Sequence, residues 1–268
     1  MASALLPVVA LILVSGSAVQ LLARRLRIPS VVFYLALGLV LGPEGIGLVT
    51  LDTFGDGLET VVGLAVAIIV FDGAFALRAE RIREASTTSL RLVTIGAVVT
   101  FVGTTLAVRV LEGAAWEIAL VVGALLVATG PTVITPILEV VTVREHVAAA
   151  LETEGIVNDV TAAIAAVVIF ETLLLDDLGV QSTLLAFGER LGIGIAAGLL
   201  ATGLIYLVLQ YEISPGEGPQ AARFLIFSAA IGSFALAEVF ATEAGVAAAA
   251  TAGIALGNLD LPYRETIE

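Results

Sequence analysis

A helix break and an acidic cluster interrupt two neighbouring apolar stretches of this chain. Thr129-Gly130-Pro131 falls inside one stretch, and the segment from Glu154 to Asp159 (EGIVND) falls inside the next. A helix in lipid keeps its backbone hydrogen bonds internal, and an acidic residue among apolar ones costs free energy. Both features occur where broken backbone and a buried carboxylate line a polar cavity for an ion. Together they predict part of an ion-coupled membrane transporter.

The composition also indicates a membrane protein. Of the 268 residues, 59% are hydrophobic and 14% are charged, and the mean hydropathy is +1.08. A soluble domain has too little interior to hide this much apolar surface, so lipid must act as the solvent. The chain has no cysteine and one histidine, His146, which argues against thiolate, zinc and haem sites. No cofactor is expected.

The charge balance is strongly acidic. The net charge is -13, and all twelve basic residues are arginine. Excess carboxylates keep surfaces hydrated in a salt-rich cytoplasm, where ions screen their repulsion. This composition is typical of a halophile, and it gives no basic patch of the kind that binds nucleic acid.

Nine apolar stretches are candidates to cross the roughly 30 Å of bilayer hydrocarbon. They lie near residues 4–22, 30–49, 58–77, 92–111, 116–140, 148–175, 189–209, 220–241 and 243–258. The sequence therefore predicts an all-α, polytopic membrane protein of about nine transmembrane helices, one of them discontinuous, in a single domain over residues 1–268.

Loop charges predict the orientation, because arginine concentrates on the cytoplasmic side. Acidic residues mark the alternate loops, so we expect the N-terminus outside the cell membrane and the C-terminus inside. The arginines that follow the first, third, fifth and ninth stretches are Arg24, Arg25, Arg27, Arg78, Arg81, Arg83, Arg91, Arg144 and Arg264; the acids of the alternate loops are Glu44, Asp52, Asp56, Glu112, Asp176 and Asp177.

A short internal similarity suggests an inverted repeat. Gly38-Leu39-Val40-Leu41-Gly42 recurs as Gly253-Ile254-Ala255-Leu256-Gly257, seven stretches later. An odd separation makes the two copies cross the membrane in opposite senses, as in many secondary transporters. Small-residue patterns are also common in any packed membrane helix, which leaves the alternative open. On the first interpretation, residues 1–175 form one repeat, 189–209 a linker helix and 220–268 an incomplete second repeat.

The break predicts two half-helices. Pro131 removes a donor and clashes with the preceding turn, and Gly130 adds flexibility. The ends of two half-helices then leave free carbonyls and amides in the membrane. Thr129 and Thr132 can supply oxygens to a partly dehydrated monovalent cation. An ordinary proline kink is the alternative.

The acidic cluster forms one polar stripe on a helix. Glu154 and Asn158 are four residues apart and share a face, as do Gly155 and Asp159, whereas the rest of the helix surface is apolar. Such a stripe should face the bundle interior. Desolvation disfavours an ionised carboxylate there, so the group can exchange a proton for a cation. The alternative is a structural carboxylate that pairs with a basic residue.

A further acid, Asp72, lies near the cytoplasmic end of the third stretch, in Phe71-Asp72-Gly73-Ala74-Phe75. It either closes the ion site or is a hydrated charge shortly before Arg78.

Several motifs resemble the monovalent cation/proton antiporter superfamily, in its sodium/proton exchanger branch. Leu37 to Pro43 (LGLVLGP), following Ile28-Pro29-Ser30, looks like its second-helix signature, and Phe71-Asp72-Gly73-Ala74 is similar to its Phe-Glu-Gly-Gly element. Residues Ala128 to Leu138 resemble the family's broken helix, and Glu154 to Ile164 its ion-binding helix. The similarity covers the chain in order, and the last two motifs are specific.

The resemblance implies a role for each site residue. Asp159 would bind the proton and the cation alternately. Thr129 would offer an oxygen ligand at the helix break, and Asp72 would add a carboxylate to the site. Asn158 would stabilise the helix pair or the ligand shell, and an Asn-Asp pair implies electroneutral one-for-one exchange.

The chain departs from the family pattern in three respects. Many members have Asp at the position of Gly130, and many have Ser at that of Gly155. Members also have about twelve or thirteen spans, so this chain resembles a C-terminally truncated one.

Three functions follow from these observations. The first is exchange of a monovalent cation, Na⁺ before K⁺ or Li⁺, for H⁺ by a homodimer in the cell membrane. The second is a truncated chain that does not transport alone, or that needs a separately encoded C-terminal half. The third, an intramembrane aspartyl protease using Asp72 and Asp159, fits poorly because neither residue lies in a Gly-x-Gly-Asp motif.

Overall fold

The fold is known from a computed structural model, which describes residues 2–26, 28–55, 57–77, 90–138, 140–175, 179–211 and 218–261. All regular structure in these ranges is helical. The helices are α1 (Ala2–Leu26), α2 (Ser30–Leu41), α3 (Leu51–Phe54), α4 (Gly57–Ala76), α5 (Ala97–Leu111, preceded by a π-helical turn at Leu92–Gly96), α6 (Trp116–Leu125), α7 (Pro131–Leu138), α8 (Glu145–Ile169, continued by a π-helical segment at Phe170–Leu175), α9 (Val180–Tyr211), α10 (Gly218–Phe240) and α11 (Ala244–Asn258).

The helices group into two compact units. The first unit comprises residues 1–63 and 132–144, and the second comprises residues 64–131 and 145–268. In the first unit α1 packs against α2. The second unit holds α5, α6 and α8 to α11.

The prediction of a polytopic helical protein is confirmed. In the described ranges, six helices are long and apolar enough to cross a membrane, and α2, α6 and α11 are shorter apolar helices. Two predicted bounds differ from the structure by more than five residues. The linker helix, expected near 189, begins at Val180. The second stretch, expected to reach residue 49, is helical only to Leu41, because extended Gly42 precedes Pro43 and proline disfavours helix at the residue before it.

Helix α8 lies in the core of the second unit. Its apolar residues Ile156, Ile164 and Val168 are at most 2% exposed and pack with Val70 of α4 and Val246 of α11. The sequence pattern placed these residues on an apolar surface of the helix. The structure shows that the surface is covered by other helices, which hold the polar stripe in a fixed rotation.

Small residues bring α11 against its neighbours. A Cβ placed on Gly253 would lie 2.5 Å from the carbonyl oxygen of Phe71, and one on Gly198 of α9 would lie 2.5 Å from the carbonyl oxygen of Ala248. The related Gly38 of α2 has nothing within 4 Å of the same position. The two copies of the glycine motif therefore have different surroundings, and the inverted repeat, with its boundaries, stays a prediction.

The orientation also stays a prediction. Arg24 and Arg25 occupy the last turn of α1, as expected of basic residues at a helix end. Several of the loop charges on which the orientation depends lie outside the described residues, namely Arg27, Asp56, Arg78, Arg81, Arg83, Asp176, Asp177 and Arg264.

Candidate functional site

The predicted helix break is present along the chain between α6 and α7. Helix α6 ends at Leu125, and residues 126–130 separate it from Pro131, the first residue of α7. The chain leaves α6 through two tight turns, in which Val127 N donates to Ala124 O and Ala128 N donates to Leu125 O. Proline suits the first helical position, since its missing N–H would have no intrahelical partner there. The break thus begins at the end of α6, four residues before Thr129.

A carboxylate of α8 accepts two hydrogen bonds next to this break. Thr129 Oγ1 donates to Glu154 Oε1 at 2.9 Å, and Asn158 Nδ2 donates to the same oxygen at 2.6 Å. The second bond joins residues four apart on one helix face, as the sequence predicted. Three of the proposed site residues therefore meet at one oxygen atom.

The carboxyl group of Asp159 lies against the backbone of Gly130. A Cβ placed on Gly130 would be 3.0 Å from Asp159 Oδ1 and 3.1 Å from both Cγ and Oδ2. Gly130 is buried and Asp159 is half-buried. Only a residue without a side chain allows this close approach at a relaxed distance. The acid and the break, predicted separately, are neighbours.

The side-chain oxygen of Asn158 is also available at this site. The residue is 2% exposed, and its Oδ1 has no hydrogen-bond partner in the described part of the chain. A buried carbonyl oxygen is normally satisfied by a donor, by water or by a cation. The Asn158 oxygen is therefore available to a donor, a water molecule or a cation.

The structure does not bring Asp72 into contact with these residues, and it leaves the side chains of Pro131 and Thr132 undescribed. Asp72 lies on the exposed side of α4, because the helix turns Val70, Phe71 and Ala74 towards the core. The contacts of the described residues give it no bond to Asp159 or Glu154. Pro131 and Thr132 have helical backbone, and the structure describes no side-chain surroundings for either.

An ion pair between α8 and α9 was not predicted from the sequence. Arg190 Nη2 donates to Glu171 Oε2, and both residues fall in candidate membrane spans. The signal was present in the sequence, since one acid and one base stand in adjacent apolar stretches, where unpaired charges are costly.

The oxygen donors of the site suit a hard cation. In the described ranges, no group of three or more acidic, histidine or cysteine residues lies close enough to bind a metal ion. The candidate donors are instead the carboxylates of Glu154 and Asp159 and the neutral oxygens of Thr129 and Asn158. Carboxylate and neutral oxygens are the ligands that hard cations prefer, and a carboxylate also binds a proton.

We expect Glu154→Ala to destabilise the second unit. The change leaves the hydroxyl of Thr129 and the buried amide of Asn158 without their acceptor, at a cost of about 1–3 kcal/mol in the free energy of unfolding. Unfolding in detergent micelles measures this loss. Glu112→Ala, at an exposed position after α5, is the matched control. Equal stability of the two variants would contradict the hydrogen bonds described above.

Comparison with known proteins decides the family. A model of the family described as "sodium/hydrogen exchanger, transmembrane" matches residues 9–268. The chain belongs to the sodium/hydrogen exchanger family. It is thereby an integral membrane protein of a family of transporters rather than enzymes, and the protease interpretation is set aside.

Individual relatives agree with this membership. The Na⁺/H⁺ antiporter ApNhaP of Aphanothece halophytica is 27% identical over 87% of this chain and 43% of its own length. The K⁺/H⁺ antiporter NhaP2 of Shewanella sp. (strain ANA-3) is 30% identical over 70% of this chain and 33% of its own. The chain thus matches less than half the length of each of these relatives.

A solved structure shows the same fold. The sodium proton antiporter MjNhaP1 of Methanocaldococcus jannaschii superposes with a TM-score of 0.76 at 24% identity, covering 96% of this chain and 63% of the solved one. The predicted antiporter architecture is confirmed at the level of the fold.

Proposed function

We propose that this chain exchanges a monovalent cation for a proton across the cell membrane, with both ions competing for Asp159. The observation that carries the proposal is the close approach of the Asp159 carboxyl group to Gly130 at the helix break. A positive partner stabilises a half-buried carboxylate, and either a proton or a dehydrated cation can take that place. Occupancy by one excludes the other, which couples their movements.

The neighbouring residues shape the cation site in this proposal. The Thr129 hydroxyl donates its hydrogen to Glu154, so the lone pairs of the Thr129 oxygen are free to bind a cation. Asn158 Oδ1 adds a neutral ligand, and Glu154 holds both side chains in place. Asp159 and Thr129 are the proposed cation ligands, with no cofactor besides the transported ions.

The preferred cation is proposed to be Na⁺. The relatives described above include antiporters named for Na⁺ and for K⁺, so the test compares ions directly. The purified chain is reconstituted in liposomes with a pH dye inside, and pulses of Na⁺, K⁺ and Li⁺ are added in turn. We expect the largest cation-driven pH change with Na⁺. A larger response to K⁺ would contradict the Na⁺ preference, and no response to any cation would contradict exchange by the chain alone.

The proposed stoichiometry rests on the Asn158-Asp159 pair. One exchangeable carboxylate carries one positive charge in each direction, so the exchange should be electroneutral. Clamping the membrane potential with valinomycin and K⁺ should leave the Na⁺-driven rate unchanged. A rate that follows the imposed potential would contradict one-for-one exchange.

The assembly is also a proposal. We infer a homodimer with its N-terminus outside, from the family resemblance and the loop charges. A separately encoded C-terminal half is the alternative route to activity that we propose.

A further inference from the structure

An ion pair joins the end of the site helix to the next helix. The Arg190 side chain is 13% exposed and that of Glu171 is 36% exposed, and Arg190 Nη2 donates to Glu171 Oε2. Arg190 is ten residues from the start of α9, roughly 15 Å along the helix at 1.5 Å per residue. Charged side chains within candidate membrane spans are usually paired, and they commonly mark functional sites.

A second polar link lies beside the pair. The buried hydroxyl of Thr172 donates to Val168 O at 2.6 Å, and its oxygen lies 2.7 Å from the hydroxyl oxygen of Thr183 on α9. Glu171 and Thr172 both belong to the π-helical segment Phe170–Leu175. A π-helical segment changes the rotation of the residues on either side of it, and such segments are frequent at functional sites. Two side-chain contacts therefore fix the rotation of this segment against α9.

The rotation of α8 decides where Asp159 points. Asp159 is 12 residues before Glu171 on the same continuous helical stretch, Glu145 to Leu175. A slip of one residue would turn the helix by about 100° and shift it by about 1.5 Å. Either movement would take the Asp159 carboxyl group away from Gly130. The two groups are now so close that a Cβ atom on Gly130 would lie only 3.0 Å from Asp159 Oδ1. A contact that holds the far end of the helix therefore adds to the packing of Ile156, Ile164 and Val168 in keeping the site formed.

We propose that Arg190 is a positioning residue for cation binding. It holds Glu171, fixes the rotation and height of α8, and so keeps the Asp159 carboxyl group at Gly130. This inference rests on the proposed exchange function. Arg190 lies on α9, is not one of the proposed cation ligands, and is nevertheless necessary for the affinity of the site for the cation.

Transport kinetics test the proposal in liposomes that contain the full chain. Arg190→Ala and Glu171→Ala should each raise the cation concentration for half-maximal exchange by roughly three- to tenfold, the range expected of coupled residues. The maximal rate should change less. Arg190→Lys and the exchanged pair Glu171→Arg with Arg190→Glu should recover most of the affinity. Unchanged affinity in both alanine variants, or no recovery in either rescue variant, would overturn the proposal.

A cross-linking measurement tests the same proposal without transport. The chain has no cysteine, so Thr172→Cys with Thr183→Cys gives a single pair that can form a disulfide between α8 and α9. The disulfide should form several-fold faster with Arg190 present than with Arg190→Ala.

The two measurements separate the failure of this inference from the failure of the exchange function. If the parent chain shows no exchange, the proposed function fails and cross-linking alone decides the role of Arg190. Equal cross-linking rates would overturn that role even in an active protein. If Arg190→Ala does not fold, the double variant Glu171→Ala with Arg190→Ala, which buries no unpaired charge, replaces it in both assays.

Discussion

Replacing Asp159 with asparagine should reduce cation-driven proton flux to the background of liposomes without protein. Asparagine has nearly the size and shape of aspartate, so it fits against Gly130 as the acid does. It neither carries the negative charge that holds a cation nor takes up a proton in the accessible pH range. Both half-reactions are lost together, and the measurement is the pH-dye response to a Na⁺ pulse in reconstituted liposomes.

The matched control is Asp52→Asn, the same chemical change at an exposed position in α3. It should exchange at the parent rate. Normal insertion and normal unfolding of the Asp159 variant would show that the chemistry, and not the fold, was removed. Exchange by Asp159→Asn at a substantial fraction of the parent rate would remove this residue from the mechanism.

Gly130→Ala should weaken cation binding strongly. The added methyl group would lie 3.0–3.1 Å from three atoms of the Asp159 carboxyl group, which would have to retreat by a few tenths of an ångström. The backbone at Gly130 is not in the left-handed region, so alanine brings no conformational strain of its own. We expect the concentration for half-maximal exchange to rise roughly tenfold, given how steeply binding depends on ligand position. Gly130→Val should abolish exchange.

Gly103→Ala in α5 is the matched control, because nothing lies within 4 Å of its Cβ position. Its transport kinetics should equal those of the parent. If Gly130→Ala kept the parent's affinity for the cation, the close approach of the Asp159 carboxyl group to Gly130 would not be needed for cation binding.

Local signals in the sequence predicted the break and the polar stripe. Proline and glycine act on the backbone at their own positions, so Gly130-Pro131 predicts an interruption wherever the helix lies. Spacing of four residues places Glu154 and Asn158 on one helix face by geometry alone. The structure agrees with both predictions, because neither depends on how the helices pack.

Tertiary packing decided what the sequence could not. The stretch containing Asp72 is apolar on nearly all sides, so its periodicity does not show which face packs, and the structure turns Asp72 outwards. The contact between Gly130 and Asp159 joins residues distant in the chain, and no pattern in the sequence gives its distance. The ion pair of Glu171 and Arg190 is likewise a tertiary contact. It could have been predicted by assuming that every charged residue within an apolar stretch pairs with an opposite charge.

Release of protons on cation binding tests the central claim most directly. Purified chain in weakly buffered detergent solution is titrated with NaCl, and proton release is followed with a pH indicator against choline chloride as the salt control. A single carboxyl group shared by the two ions predicts that protons leave as Na⁺ binds, up to one per chain, and that Asp159→Asn releases none. Saturable Na⁺ binding with no proton release, or the same release from Asp159→Asn, would contradict the account.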